Sequence, residues 1–554
     1  MTSAPAPSAP MAASSGRLAG TSVLMRLFLR RDRIRLSLFV LLSVGLALSL
    51  AQSVLDTYGS AAERREYGEG TRGSALAAVF TGPDFGFQSE GRIVVSEMLT
   101  TVLLIVALGS AILTVRYTRS EEETGRAELV ASCAVGRHAR LSAAVLVVGL
   151  VTLMAGGLIA AALIGYGLPA AGSAALGLSV TAAGWLFAGI GAVTAQVFTH
   201  ARTATGAALT VFGALFAARS VGDIDAYIGD PPGALRHLSW LSPLGWAHHV
   251  RAYSGERWWL LVLLMGLAMA FTGAAAALSV RRDVDAGLIP PRLGRARAGA
   301  RLAGPWSLAW RLQRGGVIGT TAGIVLFSAL FGSFAHEIDS MSTSEGTADA
   351  IRRLGGSSAL TDSWLSWTLS VASMAAAAYA VAAVLRLRAE ETGLRADLVL
   401  ATAVERRRWA GGHLLCAVVG VTVQLAAAGL AVGVVHGVRS DDLASELPRL
   451  VGAGLVQVPV TLMMVGIAFL LFAAVPRFAA AGAWTVVVSA LLLNQFGGLL
   501  GLQQQVLNLS PFTHSPDAPG SSISSVPLLW LGGTAVALTA LGLALLRRRD
   551  INAG

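Results

Sequence analysis

Not one lysine occurs among the 554 residues. A phosphate-binding loop of the G-x-x-x-x-G-K-[ST] type needs its lysine to reach the nucleotide phosphates, so the chain carries no such ATPase site. Energy for any active process has to come from a partner or from an ion gradient. Charge of either sign is scarce: 13% of residues are charged, against roughly 25% in a soluble domain. With only two cysteines, Cys133 and Cys416, no disulfide framework or metal cluster can be assembled. A basic n-region ahead of an apolar core is also missing, which excludes a cleavable signal peptide. The Ala/Pro/Ser-rich residues 1–19 are expected to form a disordered cytoplasmic tail.

What is abundant is apolar: 54% of the residues are hydrophobic, in runs long enough to cross a hydrocarbon core of about 30 Å as helices. Twelve runs are expected as spans, near 36–54, 93–115, 141–166, 173–197, 203–221, 258–280, 316–335, 364–385, 412–436, 450–474, 479–501 and 525–546. The fold class is therefore an all-α polytopic membrane protein. The net charge of +10 is carried by arginine alone, a bias that fits a high-G+C bacterial genome. The arginines gather in short loops beside alternate span ends, at Arg26–Arg35, Arg116–Arg140, Arg386–Arg408 and Arg547–Arg549. That is the positive-inside pattern, so the charge reports topology rather than nucleic-acid binding. Both termini are expected in the cytoplasm of a multi-pass protein in a bacterial plasma membrane.

Three landmarks recur. Glu122-Glu123-Thr124-Gly125 returns as Glu390-Glu391-Thr392-Gly393, Leu241-Ser242-Pro243 as Leu509-Ser510-Pro511, and Arg281-Arg282-Asp283 as Arg548-Arg549-Asp550, each displaced by 268 or 267 residues. With six spans per copy, an even number, both copies enter the membrane from the same side, which makes a parallel repeat of two six-helix halves. The halves are drawn at 20–287 and 307–554, joined by a cytoplasmic Pro/Gly/Arg linker at 288–306. Each half opens on a basic, amphipathic stretch, Leu24, Leu27 and Phe28 in the first and Leu308 and Trp310 in the second, expected as an interfacial elbow helix against membrane lipid.

The loop after the second span of each half carries the most chemistry. After Gly125, a residue able to break the long helix, Ala127, Val130, Ala131 and Ala134 repeat at i, i+3, i+4, i+7, one face of a short helix. After Gly393 the same face returns as Ala396, Val399, Leu400 and Ala403, displaced by 269. Glu128 corresponds to Asp397 and Arg137 to Arg406, while the second copy departs by one inserted residue, Leu394 or Arg395, and replaces Gly136 with Glu405. Two short apolar-faced helices suit docking into two equivalent grooves of a dimeric cytoplasmic protein.

These strings, with Leu241-Ser242-Pro243-Leu244-Gly245-Trp246 and the terminal Arg-Arg-Asp signatures, resemble fused type-2 ABC export permeases, most closely the bacterial permeases for polyketide-antibiotic and multidrug efflux. The resemblance implies two copies of a separate ABC ATPase that bind the ATP and magnesium, no cofactor held by this chain, and an amphipathic cargo. It places the ATPase contacts on Glu122, Glu123, Gly125, Glu128, Val130, Ala131 and Arg137, and on Glu390, Glu391, Gly393, Asp397, Val399, Leu400 and Arg406. Charged and amide groups inside spans are the candidates for a substrate cleft: Glu97, Gln196, Gln457, Asn494 and Gln495. Glu97 stands opposite Leu365 in the second copy, so the acid is unpaired. Left open are a gradient-driven multidrug carrier, which would want paired intramembrane charges, and an export permease for lipid or polysaccharide.

Overall fold

The computed structural model describes residues 16–71, 74–83, 85–126, 128, 135–228, 233–283, 286–290, 299, 302, 304–335, 357–497, 503–521 and 523–549. The chain divides into two compact units, Met1–Gly294 and Arg295–Gly554. Among the described residues both are built from helices, and eleven helices are long and apolar enough to cross a membrane.

In the first unit, α1 (Thr21–Arg31) and α2 (Arg33–Thr57) are separated by Asp32, whose backbone leaves the helical region. Short helices α3 (Ala61–Thr71) and α4 (Ala75–Thr81) lead into α5 (Glu90–Val115). One π turn at Arg116–Ser120 and a last turn at Glu121–Glu123 extend α5. Then come α6 (Ala139–Gly165), α7 (Ala170–Val197), α8 (Ala201–Ile228), the short α9 (Leu238–Leu241) and α10 (Pro243–His249), and α11 (Trp258–Val280). The core lies where α5 and α7 meet their neighbours. Small residues permit the closest approaches: a Cβ on Gly156 of α6 would stand 2.2 Å from the Gly177 carbonyl of α7.

The second unit runs through α12 (Pro305–Ser333), α13 (Ser357–Thr392), the short α14 (Arg395–Leu400), α15 (Arg406–Arg439), α16 (Leu443–Val456), α17 (Val458–Ala474), α18 (Ala479–Phe496) and α19 (Ser525–Arg548). Its core gathers around α13, α15 and α17, with Phe469 and Phe472 fully buried.

Three features differ from the sequence expectation. The eleventh expected span, 479–501, holds an apolar helix of only Ala479–Gln495, shorter than the other eleven. The tenth is broken at Gln457, because Pro459 supplies no N–H to continue the ladder of hydrogen bonds and Gln457 bonds instead to the Gly454 carbonyl three residues back. The second elbow is absent as a separate helix among the described residues. Leu308 and Trp310 begin the unbroken 29-residue α12, since no residue there plays the part of Asp32. The first elbow is present as α1, pinned by buried Leu24 and Phe28, with Phe28 stacked on Tyr117 at 4.7 Å.

Candidate functional site

The span holding α5 runs Glu90–Glu123, 34 residues, and that holding α13 runs Leu360–Thr392, 33 residues. At 1.5 Å per residue each is about 50 Å long, well beyond a core of about 30 Å. Each is thus longer than the hydrocarbon core, and at its last turns each unit assembles a cluster of opposite charges.

In the first unit the Glu122 carboxylate is buried and shared by three arginines. Arg119 donates to it at 2.6 Å and Arg282 at 2.8 and 2.9 Å, and Arg140 closes on its Oε1. The π turn sets Arg119 among α7 and the segment after α11, where its remaining donors reach the Ala195 and Ala286 carbonyls. Such one-residue widenings of a helix concentrate at functional sites. Arg282 also donates to the Gln196 side chain at 2.7 Å. One carboxylate thus ties α5, α6, α7 and the end of α11 together.

Its neighbours do different work. Glu121 pairs with Arg31 at 3.0 Å and binds the motif to α1. Glu123 accepts from the Ala201 N–H at 3.0 Å and contacts His200, anchoring the start of α8. Beside them Asp32 receives Arg31, Arg35 and Arg116. Burial pulls this carboxyl upward, but the three guanidinium groups outweigh it and hold the pKa below its ordinary value.

The second unit repeats the clasp with fewer members. Glu391 is buried and receives Arg549 at 2.7 Å and Arg388 at 3.4 Å. Arg549 also donates to the Phe472 carbonyl, and its own carbonyl accepts from Arg406 at 2.6 Å. Glu390 pairs with Arg395 and Arg386. Matching roles gives Arg119 with Arg388, Glu121 with Glu390, Glu122 with Glu391 and Arg126 with Arg395, a displacement of 269 throughout.

The apparent insertion at Leu394 or Arg395 therefore disappears. The Glu-Glu-Thr-Gly strings align by letter at 268 but not by position. The left-handed residue that ends the long helix is Gly125 (φ 70°) in the first unit and Leu394 (φ 56°), not Gly393, in the second. The exchange of Gly136 for Glu405 has a steric reason: a Cβ on Gly136 would stand 2.4 Å from the Arg17 carbonyl, whereas Glu405 is exposed.

The short α14 does not present the apolar face expected of it. Ala396 is buried and Val399 and Leu400 pack against the core of their own unit, while Leu398 is 75% and Leu394 54% exposed. Asp397 is exposed and lines a hollow of about 420 Å³ with Leu400, Ala401, Val404, Glu405 and Arg406. In the first unit Val130 and Ala131 lie outside the described residues. Glu128 and Arg137 are exposed, and a hollow of about 310 Å³ opens over Arg119, Glu122, Glu123, Gly125, Thr199 and His200.

The profile of the family described as "Multidrug efflux system permease Rv1217c, C-terminal domain" matches residues 36–279 and 302–547. A relative, the multidrug efflux system permease protein Rv1217c of Mycobacterium tuberculosis (strain ATCC 25618 / H37Rv), is 38% identical over 536 residues, which cover 96% of this chain and 95% of the relative. The chain belongs to this efflux permease family. With eleven helices among the described residues long and apolar enough to cross a membrane, it is a multi-pass transport protein of the plasma membrane and a component of an efflux system.

The amides expected to line a cleft each have a hydrogen-bond partner within their own unit. Gln196 is part of the Glu122 clasp. Gln457 accepts from Ser515 at 2.9 Å. Gln495 accepts from Trp367 at 3.1 Å, and Asn494 reaches Ser370 at 3.5 Å. Glu97 is half-buried two turns into α5 and accepts from the Tyr67 hydroxyl at 2.5 Å. Tyr67 itself packs edge-on against Tyr58 and Phe87.

One site escaped the sequence reading. At the end of the first unit away from the clasp, Arg219 and Asp223 on α8 are fully buried and paired at 2.8 Å. Arg219 also donates to Thr100 on α5 and to the Val79 carbonyl of α4, and Asp223 accepts from Ser239 of α9 at 2.5 Å. Thr100 in turn bonds His248 of α10 at 3.1 Å. The signal was an Arg and an Asp four residues apart. It was missed because the expected span stopped at 221, two residues short of Asp223.

Proposed function

We propose that this permease is the membrane subunit of an ATP-driven exporter, working with two copies of a separate ABC ATPase that hold the ATP and magnesium, and expelling amphipathic drugs or antibiotics. In this reading the two units are copies of one six-span half, the clasp ends face the cytoplasm, and the ATPase docks beside them. The observation that carries it is the duplicated clasp. In each unit a buried carboxylate joins the root of the surface segment after the second span to an arginine following the last one. A push on that segment is then transmitted to the opposite end of the unit through rigid helices rather than absorbed by a loop. The relative's printed role in multidrug efflux supports the direction and the cargo class.

The docking residues are revised by the geometry. Leu394 and Leu398 offer exposed apolar surface, and Asp397 with the adjoining hollow supplies the polar rim, whereas Val399 and Leu400 support α14 from beneath. Replacing Leu398 by Asp is expected to weaken ATPase binding at least tenfold, about 1.4 kcal/mol, while the permease stays folded. Co-purification of the ATPase and drug export by membrane vesicles read the outcome. Full retention with normal export would remove the coupling reading.

A gradient-driven carrier has one observation in its favour, the buried Arg219–Asp223 pair inside the fifth span, since such pairs serve proton coupling in secondary transporters. Export in vesicles that survives collapse of the proton gradient but needs ATP would exclude it.

A further inference from the structure

We infer that the first unit holds one anionic glycerophospholipid in a groove between α2 and α6, in the leaflet on the clasp side of the membrane. The groove is about 670 Å³ and is lined by Arg33, Ser37, Leu41 and Val44 of α2 and Met154 and Leu158 of α6. Three of its apolar residues are widely exposed in the unit, Leu41 at 68%, Met154 at 48% and Leu158 at 47%.

Polar chemistry sits at one end of the groove and in lipid order. Arg33 marks the membrane boundary where α1 gives way to α2. The neighbouring Asp32 is saturated by Arg31, Arg35 and Arg116. Among the described residues nothing accepts from the exposed Arg33 or Arg30 side chains, so two guanidinium groups face the interface without an anion. One turn deeper, the exposed Ser37 hydroxyl has no protein partner among the described residues, although Ser43 further along α2 bonds the Phe39 carbonyl. A hydroxyl at that depth needs an acceptor or donor, and a lipid's ester groups lie about one helical turn below its phosphate.

Length agrees with the same occupant. From Arg33 to Val44 the helix rises about 16 Å, about half of a hydrocarbon core of about 30 Å, which is the reach of one acyl chain. The surface left open by the fold thus has a phosphate end, an ester level and a tail of one leaflet's depth. Nothing in this assignment depends on the partner ATPase or the cargo.

The test is native mass spectrometry of the full chain, purified and offered phosphatidylglycerol or phosphatidylcholine. The wild type is expected to retain phosphatidylglycerol in preference. Arg33→Gln is expected to lower that retention about fivefold, as loss of about 1 kcal/mol for one basic residue near an anionic surface requires, and to leave phosphatidylcholine unchanged. Leu41→Trp, which fills the groove, is expected to lower retention of both lipids. Ser37→Val, a change on an exposed helix face that leaves the core intact, is expected to shorten phosphatidylglycerol residence. Equal retention of the two lipids by the wild type, or unchanged retention in all three variants, overturns the proposal. So does a photocrosslinker at position 41 that captures a peptide of the second unit instead of lipid.

Discussion

The clasp ends of the two units place one glutamate and two arginines in the same roles, whereas their opposite ends share the Ser-Pro helix starts at Ser242 and Ser510 but not a fully buried ion pair. Glu122 with Arg119 and Arg282 has its counterpart in Glu391 with Arg388 and Arg549. Away from the clasp, the first unit is held by the buried Arg219–Asp223 pair and its bonds to α4, α5 and α9. The positions displaced by 268 are Val487 and Leu491. There the second unit combines neutral hydrogen bonds, Ser510 to the Ala490 carbonyl, Ser515 to Gln457 and Ser366 to the Asp517 carbonyl, with a part-exposed ion pair of Arg449 with Asp362 and Glu446. A function that treats both units alike constrains the clasp, while one that distinguishes them is free to act at the other end. On the proposed reading, the first is ATPase coupling.

The largest effect is expected from breaking the first clasp. Glu122→Ala leaves Arg119 and Arg282 buried without their carboxylate, their side chains being 0% and 6% exposed, and removal of one partner from a buried pair costs about 3–5 kcal/mol. Glu391→Ala is expected to cost less, because Arg388 and Arg549 are 20% and 15% exposed and can turn toward water. Thermal unfolding of the two purified variants measures the difference. Equal losses would mean that the clasps are equivalent in energy as well as in geometry.

The charged pair of the first unit is next. Asp223→Leu is expected to destabilise by about 3 kcal/mol, since Arg219 remains buried and uncompensated. The double change Arg219→Leu with Asp223→Leu, which gives this unit the apolar character of Val487 and Leu491, is expected to recover most of that loss in a double-mutant cycle. If export then fails while stability returns, the pair is needed for transport and not for folding. If export also returns, the two ends differ only in how they are held together.

What the sequence disclosed follows from which constraints are local. Long apolar runs are set by the bilayer, so eleven spans were legible, and the short eleventh run and the break at Gln457 were matters of a few residues. The clasp residues were legible as recurring strings, yet their register was not. The first unit has three consecutive glutamates and the second only two after Ala389, so a match by letters slides one position from the match by contacts. Which face of α14 is free depends on the core beneath it, which is why Val399 and Leu400 looked available. The Arg219–Asp223 pair was hidden by the opposite error, because charge was taken to mark the end of a span when its partner lay one turn away inside it.

The smallest expected effect tests that register directly. Left-handed backbone costs an L-residue about 1–2 kcal/mol, and glycine escapes it for want of a Cβ. The first unit places Gly125 there, with nothing within 4 Å of a Cβ built on it, so the cost of a side chain is conformational and not steric. The second unit places Leu394 there at φ 56° and keeps Gly393 one residue earlier, outside the left-handed region. Under the 269 register, Gly125→Leu is expected to destabilise by about 1 kcal/mol and Leu394→Gly to stabilise by less than that, because the leucine's exposed surface contributes little while glycine adds chain entropy to the unfolded state. Gly393→Ala then carries only a small steric cost, its Cβ standing 3.0 Å from the Ala389 carbonyl. Under the 268 register the roles exchange, Gly393→Ala carrying the penalty and Leu394→Gly none. Unfolding midpoints of the three variants separate the two registers, and the sign of the change at 394 decides which glycine the surface segment turns on.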